Sequence, residues 1–340
     1  MSAENRPLQL SDDLIFRPAT MIDLEAIHEI YTEYWEAMTG DVKFTLDDFR
    51  NIFSTPGFDM ESSLRVVESP QGQILGSMLV MDLGSPPVHP RAYGCVSPDY
   101  EKQGIGTFLI NWAEERSGRA VERVPDGARV SMYLQCSSTH EQTRRLFEKL
   151  GFDAIRYSWF MVIDLEGKTP EPEWPEGVHL STYKEKPDLE IVHRAIDEAF
   201  QDHWGHVASE DEEERLERFR YSIENDETFD PELFFLAMDG DEIAGAAFCS
   251  PRFGGDPDTG IVETLAVRRP WRRKGIGIAL LHHAFGEFYK RGHKHVGLGV
   301  DTQNLSGATR LYEKAGMHIA TEFTFYEKEL REGEELARQE

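Results

Sequence analysis

Apolar residues in this chain recur with two periods, and the order in which those periods follow one another occurs twice. A short strand ending at Pro18 precedes apolar positions at 24, 27, 30 and 31, the spacing of one helix face, and a second helix is expected over 46–52. Runs at 64–68 and 74–80 flank Ser69-Pro70-Gln71-Gly72 and predict a β-hairpin. A strand over 92–96 leads through a loop with Gly104 and Gly106 into a helix from 107 to about 116. A strand at 130–135, a helix at 142–150 stopped by Gly151 and a strand at 159–165 complete this half. The stretch 166–177 is proline-rich and charged, and reads as a linker.

The same succession then returns. A strand at 178–182, a helix at 189–200 and a hairpin of 234–238 with 243–249 precede a strand at 261–267. Next come a basic glycine loop, a helix over 278–290, a strand at 296–300, a helix over 307–315 and a strand at 321–327. The repeat is specific in residues as well as in pattern. Val96-x7-Gly104-Ile105-Gly106 matches Val267-x7-Gly275-Ile276-Gly277, and Arg145-Leu146-Phe147-Glu148-Lys149 matches Arg310-Leu311-Tyr312-Glu313-Lys314. A length of 340 residues suits two cores better than one. The expected domains are 13–165 and 178–330, joined by the 166–177 linker and followed by a charged tail, 331–340, that reads as a solvated helix.

Charge narrows the partners. There are 62 acidic against 36 basic residues, a formal net charge of -26, which argues against duplex nucleic acid or an anionic membrane surface. Acidity of this size either keeps a protein soluble or draws in a cationic amine. Against that background, five of the seven residues from Arg268 to Lys274 are cationic. They stand just before a new helix, whose first N–H groups are unpaired, so a phosphate-bearing ligand is the simplest explanation. Cys95, Cys136 and Cys249 lie in strand-like stretches without CxxC spacing, so buried thiols in a reducing cytoplasm are expected rather than disulfides or zinc. His282 and His283 have no third ligand at metal spacing, and no metal is expected. The first 13 residues show no signal-peptide pattern and no apolar run is long enough to span a bilayer, so a cytoplasmic monomer or homodimer is the expectation.

These motifs resemble the GNAT superfamily of acetyl-CoA-dependent N-acetyltransferases, once in each half. That family's Arg/Gln-x-x-Gly-x-Gly/Ala loop is matched by Arg272-Arg273-Lys274-Gly275-Ile276-Gly277. Its downstream Asn…Ala-x-x-Leu-Tyr-x-Lys-x-Gly stretch is matched by Asn304, Ala308, Leu311, Tyr312, Lys314 and Gly316. The tandem arrangement, with the stretch at 199–205, is similar to the mycothiol synthases. The resemblance implies an α/β (α+β) fold class: two tandem GNAT folds, each a mixed, mostly antiparallel sheet flanked by helices. It also implies acetyl transfer from acetyl-CoA, as co-substrate, to a primary amine of a small molecule by direct attack.

Roles carried over from the family fall mainly on the second half. Leu265, Ala266 and Val267 would pair with pantetheine, with the Leu265 N–H polarising the thioester carbonyl. Arg272 to Gly277 would cradle the pyrophosphate and Asn304 would contact pantetheine. Glu263 resembles the general base and Tyr312 the proton donor to the thiolate. Asp202, His203 and Trp204 stand where the family builds its acceptor pocket. From residue types alone, each also has a structural reading: a surface glutamate, a core tyrosine, a helix-capping asparagine, a tryptophan anchored in a core. Counting along the strands puts Ala92 opposite Glu263, Phe147 opposite Tyr312, Thr139 opposite Asn304 and Glu101 opposite Arg272. The first half is therefore expected to be non-catalytic. Two alternatives remain: a cysteinyl amine as acceptor, and an acyl-CoA-binding regulatory module without catalysis. A dinucleotide site lacks its third glycine, since Leu280 occupies that position.

Overall fold

A computed structural model of the chain describes residues 10–11, 13–39, 44–167, 169–208, 211–303 and 307–339. Two compact units emerge, Met1–Ile155 with Thr324–Leu336 (unit 1) and Arg156–Phe323 with Ala337–Glu340 (unit 2).

Unit 1 begins with β1 (Ile15–Pro18), α1 (Leu24–Thr39), α2 (Leu46–Phe53) and the single turn α3 (Met60–Ser63). Thr45 starts α2 as a capping box: its hydroxyl accepts from the Asp48 N–H at 3.2 Å, while its own N–H donates to the Asp48 carboxylate at 2.7 Å. Then follow β2 (Leu64–Glu68), β3 (Ile74–Met81), β4 (Arg91–Val96), α4 (Ile105–Gly118), β5 (Val130–Ser137) and α5 (Glu141–Lys149). β1 to β4 pair antiparallel in sequence order, and β4 meets β5 in parallel. Alternation along the strands splits the core in two. Val67, Leu75 and Val80 face α4 residues such as Leu109, whereas Val66, Ile74 and Leu79 face Ile27 and Ile30 of α1 and Phe49 of α2. Because β3 is covered on both faces, it reads as a continuous apolar run.

β6 (Asp153–Asp164) lies largely in unit 2, which continues with β7 (Val178–Thr182), α6 (Leu189–Phe200), α7 (Glu212–Glu224), β8 (Phe234–Asp239) and β9 (Glu242–Ser250). β10 (Thr259–Val267), α8 (Ile276–Lys290), β11 (His295–Asp301), α9 (Ala308–Lys314) and β12 (His318–Arg331) follow. β7 to β10 are antiparallel, β10 and β11 run parallel, and β6 pairs antiparallel with β11 from His295↔Asp164 to Asp301↔Ser158. On one face α8 buries Leu280, Leu281, Phe285 and Phe288 against Phe235, Val262 and Leu298. On the other, Val192 and Ala195 of α6 cover Phe234, Leu236 and Ala246. Both units thus have the mixed, mostly antiparallel sheet flanked by helices that the resemblance implies.

Three features differ from the sequence reading. Residues 156–164, read as the end of the first repeat, belong to unit 2, and 324–330, read as the end of the second, belong to unit 1. Period-two alternation identifies a strand but not the sheet edge it joins. The tail is not a helix. Glu334 exchanges backbone hydrogen bonds with Arg129 and Gly127, both at 2.7 Å, and the Glu335 carboxylate accepts from Arg129 and meets His89 Nε2 at 3.1 Å. The Arg331 guanidinium likewise donates to Ala128 O and Pro125 O, both at 2.8 Å. α7 is an additional helix that buries only Ile223 fully, so it leaves too little apolar periodicity to detect. No helix among the described residues is long and apolar enough to cross a membrane.

Tyr326, fully buried at 0% exposure, sits in the unit 1 core with its ring 5.2 Å from Phe147. Tyr326→Ala should cost about 3–5 kcal/mol, in the range for buried aromatic truncations. Hydrogen exchange should accelerate in β5 and α5, which are distant in sequence, and much less in β11. Faster exchange confined to β10 and β11 would contradict the strand assignment.

Candidate active site

The cleft in unit 2 originates where two parallel strands separate. β10 and β11 are paired only from Thr259↔His295 to Ile261↔Gly297, so beyond Ile261 the edge of β10 facing β11 is released from that ladder. A cavity of ≈ 740 Å³ opens there. Leu265, Ala266 and Val267 of β10 form one wall, and Leu298, Val300 and Asp301 of β11 the other. Ala199, Phe200 and His203 close one side, Leu311 and Tyr312 of α9 another.

Glu263 also lines this cavity, through a feature absent from unit 1. Val262 pairs with Cys249 and Thr264 with Phe248, adjacent residues on β9, so Glu263 is the extra residue of a β-bulge. The equivalent strands of unit 1 pair without interruption from Gly76↔Val96 to Met81↔Arg91. The correspondence between Glu263 and Ala92 is therefore corrected. Measured from Gly245↔Val267 and Gly76↔Val96, Ala92 matches Val262 and Tyr93 matches Thr264, which leaves Glu263 without a counterpart. An inserted residue is invisible to counting along a strand.

The basic loop is folded the same way in both units. A 3-10 turn at Arg269–Trp271 leads to Arg273 at φ 62° and Gly275 at φ 94°; in unit 1 a turn at Pro98–Tyr100 leads to Lys102 at φ 60° and Gly104 at φ 88°. Gly275 caps α8 in the left-handed region with no side chain over the helix end, so the first N–H groups of a 15-residue helix face outward. The next glycine is fixed by space: a Cβ on Gly277 would lie 3.1 Å from Leu311, as one on Gly106 would lie 3.3 Å from Leu146.

The cations divide into two groups. Arg268 donates to Glu198 at 2.8 Å and lies over the Trp271 ring. Arg272 is a clasp: it donates to Val267 O at 3.0 Å, Ala199 O at 2.7 Å and both oxygens of Asp202, one at 2.9 Å. Arg269 stands 3.4 Å from the same carboxylate. Arg273 and Lys274 are exposed and, among the described residues, have no carboxylate partner. Gly275, Ile276 and Gly277 line the cavity with Arg272 and Arg273, whereas Lys274 does not. Sequence reasoning missed the clasp because Asp202 lies 70 residues from Arg272.

The residues expected at the acceptor side separate. Asp202 is committed to Arg272, which holds its carboxyl down at about 2. Trp204 carries the Arg156 guanidinium 4.7 Å from its ring centroid, and Arg156 in turn donates to Asp301 at 2.6 Å. Only His203 of the three faces the cavity; its ring packs on Phe200, and burial lowers its pKa, so it is neutral near pH 7. Asp301 was not anticipated, although its place at the end of β11 marks it. Tyr312, 7% exposed, is pushed up to about 12 by burial and keeps its proton at neutral pH. Asn304 lies outside the described residues. Among the described residues no cluster of His, Cys, Asp or Glu is arranged to hold a metal ion.

Comparison with known proteins bears on the family and the fold. The Acetyltransferase (GNAT) family model matches residues 190–317, and an Acetyltransferase (GNAT) domain model matches residues 61–154. A mycothiol acetyltransferase of Geodermatophilus obscurus is 28% identical over 226 residues, covering 65% of this chain and 68% of that protein. The crystal structure of a GCN5-related N-acetyltransferase from Sphaerobacter thermophilus superposes with a TM-score of 0.77 at 32% identity, over 96% of this chain and 99% of that one. A tandem GNAT protein from the clavulanic acid biosynthesis pathway, at 17% identity, shares the fold with a TM-score of 0.68 over 94% and 100% of the two chains.

Asp202→Asn should cost about 1–2 kcal/mol at pH 7, by weakening a charge-assisted pair. A carboxyl held below its unfolded value stabilises above about pH 4 and loses that contribution as pH falls toward 2. The difference between wild type and variant in urea unfolding should therefore shrink over that window. A constant difference would remove the clasp as its source.

Proposed function

This chain belongs to the GNAT family of acetyltransferases, and we propose that unit 2 transfers acetyl from acetyl-CoA to a primary amine of a small molecule, while unit 1 does not catalyse. The observation that carries this reading is that Glu263 and Tyr312 line one cavity together with the glycine loop. Acetyl-CoA would lay its pantetheine along the released edge of β10, as an added strand does, with its phosphates at the outward N–H groups of α8 and at Arg273 and Lys274. Arg272 would act by holding the loop rather than by touching phosphate.

Glu263 accepts a proton from the ammonium group of the substrate, leaving a neutral amine. The nitrogen lone pair attacks the thioester carbonyl carbon, and the Leu265 N–H is the donor nearest the oxyanion on this reading. Collapse breaks the C–S bond: the departing thiolate takes the Tyr312 proton, the nitrogen gives up its second proton to the Tyr312 phenolate, and Glu263 releases its proton to solvent, giving an amide and coenzyme A. Burial suits Tyr312 to that duty, since it remains protonated across the neutral range. In unit 1 the corresponding Phe147 has no proton to give, and the bulged glutamate is missing. A cysteinyl amine is a narrower choice of acceptor, favoured by the likeness to mycothiol acetyltransferases.

Thiol-release assays over an amine panel test the reading. Tyr312→Phe and Glu263→Gln should each lower kcat by about 10²-fold with little change in the KM for acetyl-CoA. Arg273→Glu should raise that KM about tenfold, and Lys102→Glu in unit 1 should leave it unchanged. Full turnover in both catalytic variants would favour a binding module, and equal sensitivity of the two loops would defeat the assignment of catalysis to one unit.

A further inference from the structure

One carboxylate in the unit 2 cavity takes no part in the transfer steps proposed above. Among the described residues the charged groups lining that cavity are Glu263, Arg272, Arg273 and Asp301. Arg272 is engaged by Asp202 and two carbonyl oxygens, and Arg273 stands on the loop that would take the phosphates. His203 is neutral near pH 7, because burial lowers its pKa. Away from the loop the cavity therefore presents two carboxylates and, among the described residues, no uncommitted cation.

Asp301 is built into its place. Arg156 Nε donates to one carboxylate oxygen at 2.6 Å and the Gln303 N–H to the other at 2.9 Å. Arg156 is itself buried, with its guanidinium 4.7 Å from the Trp204 ring centroid and its Nη1 donating to the Gln303 side-chain oxygen at 3.3 Å. A carboxylate oxygen can accept twice, so each keeps one position for a ligand. The side chain is 27% exposed and lines the cavity. Trp204, expected among the acceptor contacts, stands one step behind: it backs the arginine that aims the carboxylate. Asp301 lies eleven residues before Tyr312; eleven before Phe147 unit 1 has Cys136, a buried thiol. The carboxylate thus accompanies the tyrosine and the bulged glutamate.

β10 and β11 are level at Ile261 and Gly297, so Asp301 stands two to three residues further along than the bulged Glu263, roughly 7–10 Å along the strands. We propose that Asp301 selects the acceptor, which rests on the acetyl-transfer reading of unit 2: it accepts a hydrogen bond from a second donor group, an ammonium or a hydroxyl, carried by the amine at about that distance from its reacting nitrogen. An acceptor with a carboxylate at the same place would face Asp301 and find no cation, since Arg156 is already paired. Amino acids of that length are rejected by charge, and plain alkylamines bind without the added contact.

Four amines built on one five-carbon chain test this: 5-amino-1-pentanol, 1,5-diaminopentane, pentylamine and 5-aminopentanoate. Each is titrated calorimetrically into the full-length chain saturated with coenzyme A, and thiol release from acetyl-CoA is read in parallel. The first two should bind about three- to tenfold more tightly than pentylamine, the range for one added hydrogen bond, and 5-aminopentanoate more weakly than pentylamine. Asp301→Asn, which keeps the size and removes the charge, should cut the preference for 5-amino-1-pentanol over 5-aminopentanoate about tenfold and leave the KM for acetyl-CoA unchanged. Arg156→Lys, which keeps a charge without the planar fork, should bring the two donor-bearing amines closer to pentylamine, with the melting transition recording that each variant is folded. Equal binding of all four, tighter binding of 5-aminopentanoate, no saturable binding, or an unchanged order in Asp301→Asn would each overturn the proposal. If Asp301→Asn fails to fold, the order of the four amines in wild type and in Arg156→Lys decides. The expected order without thiol release would support Asp301 as the donor site and remove acetyl transfer from unit 2.

Discussion

The separation of a parallel strand pair is the constraint on which both units depend. Parallel strands that stay paired satisfy each other's N–H and C=O groups along their whole length. Here β10 leaves β11 after Ile261, and β4 leaves β5 after Arg91. Every backbone group on the released edges then requires another partner, and an extended ligand can provide one. The loop and helix that follow are held to the end of the same strand, in unit 2 through the Arg272 bond to Val267 O. An exposed helix N-terminus thus stands beside a free strand edge. A ligand that is extended at one end and anionic at the other suits that combination, whichever side chains line it.

What the two units share is accordingly poor evidence of activity. Lys102 and Arg273 both adopt positive φ, a conformation that costs a non-glycine residue about 1–2 kcal/mol. Gly106 and Gly277 both make room for a leucine from the following helix. Strain and close packing kept in a unit with Phe147 in place of tyrosine belong to the loop's architecture. On the proposed reading the differences carry the chemistry: one tyrosine hydroxyl, one bulged glutamate, and an arginine where the other unit has Glu101. Of these the bulge has the greatest consequence. It is a backbone change, and no substitution at Ala92 would reproduce it.

The parts of the fold legible in the sequence were those in which backbone geometry demands a residue type. A left-handed helix cap selects glycine, so Gly104 and Gly275 announced the loops and, through their spacing, the repeat. Alternation located the strands. It could not say that 324–331 would enter unit 1, because an exchanged strand has the same pattern as one that stays. The site was legible to a similar depth. Leu265, Val267, Gly275 and Tyr312 do converge on one cavity, since their positions follow from element order. The fate of the charges was not legible, because Arg268 and Arg272 find carboxylates about a fifth of the chain away, and only three-dimensional proximity reveals that they are spoken for.

That division of charge explains how an acidic protein could serve two ligands of opposite sign. Glu198 engages Arg268, Asp202 engages Arg269 and Arg272, and Arg273 and Lys274 are left exposed on the loop. At physiological ionic strength charges are screened beyond roughly 8 Å. The anionic end of acetyl-CoA, placed at the loop as proposed, would therefore respond to those two side chains and the helix N–H groups far more than to the formal net charge of -26. A cationic amine acceptor would respond to the diffuse acidic surface during its approach, before any specific contact is made. The two substrates need not compete for one field. On the proposed reading the anion would be held by a short-range patch whose other arginines are engaged by nearby carboxylates, and the amine would be drawn in by the charge that remains.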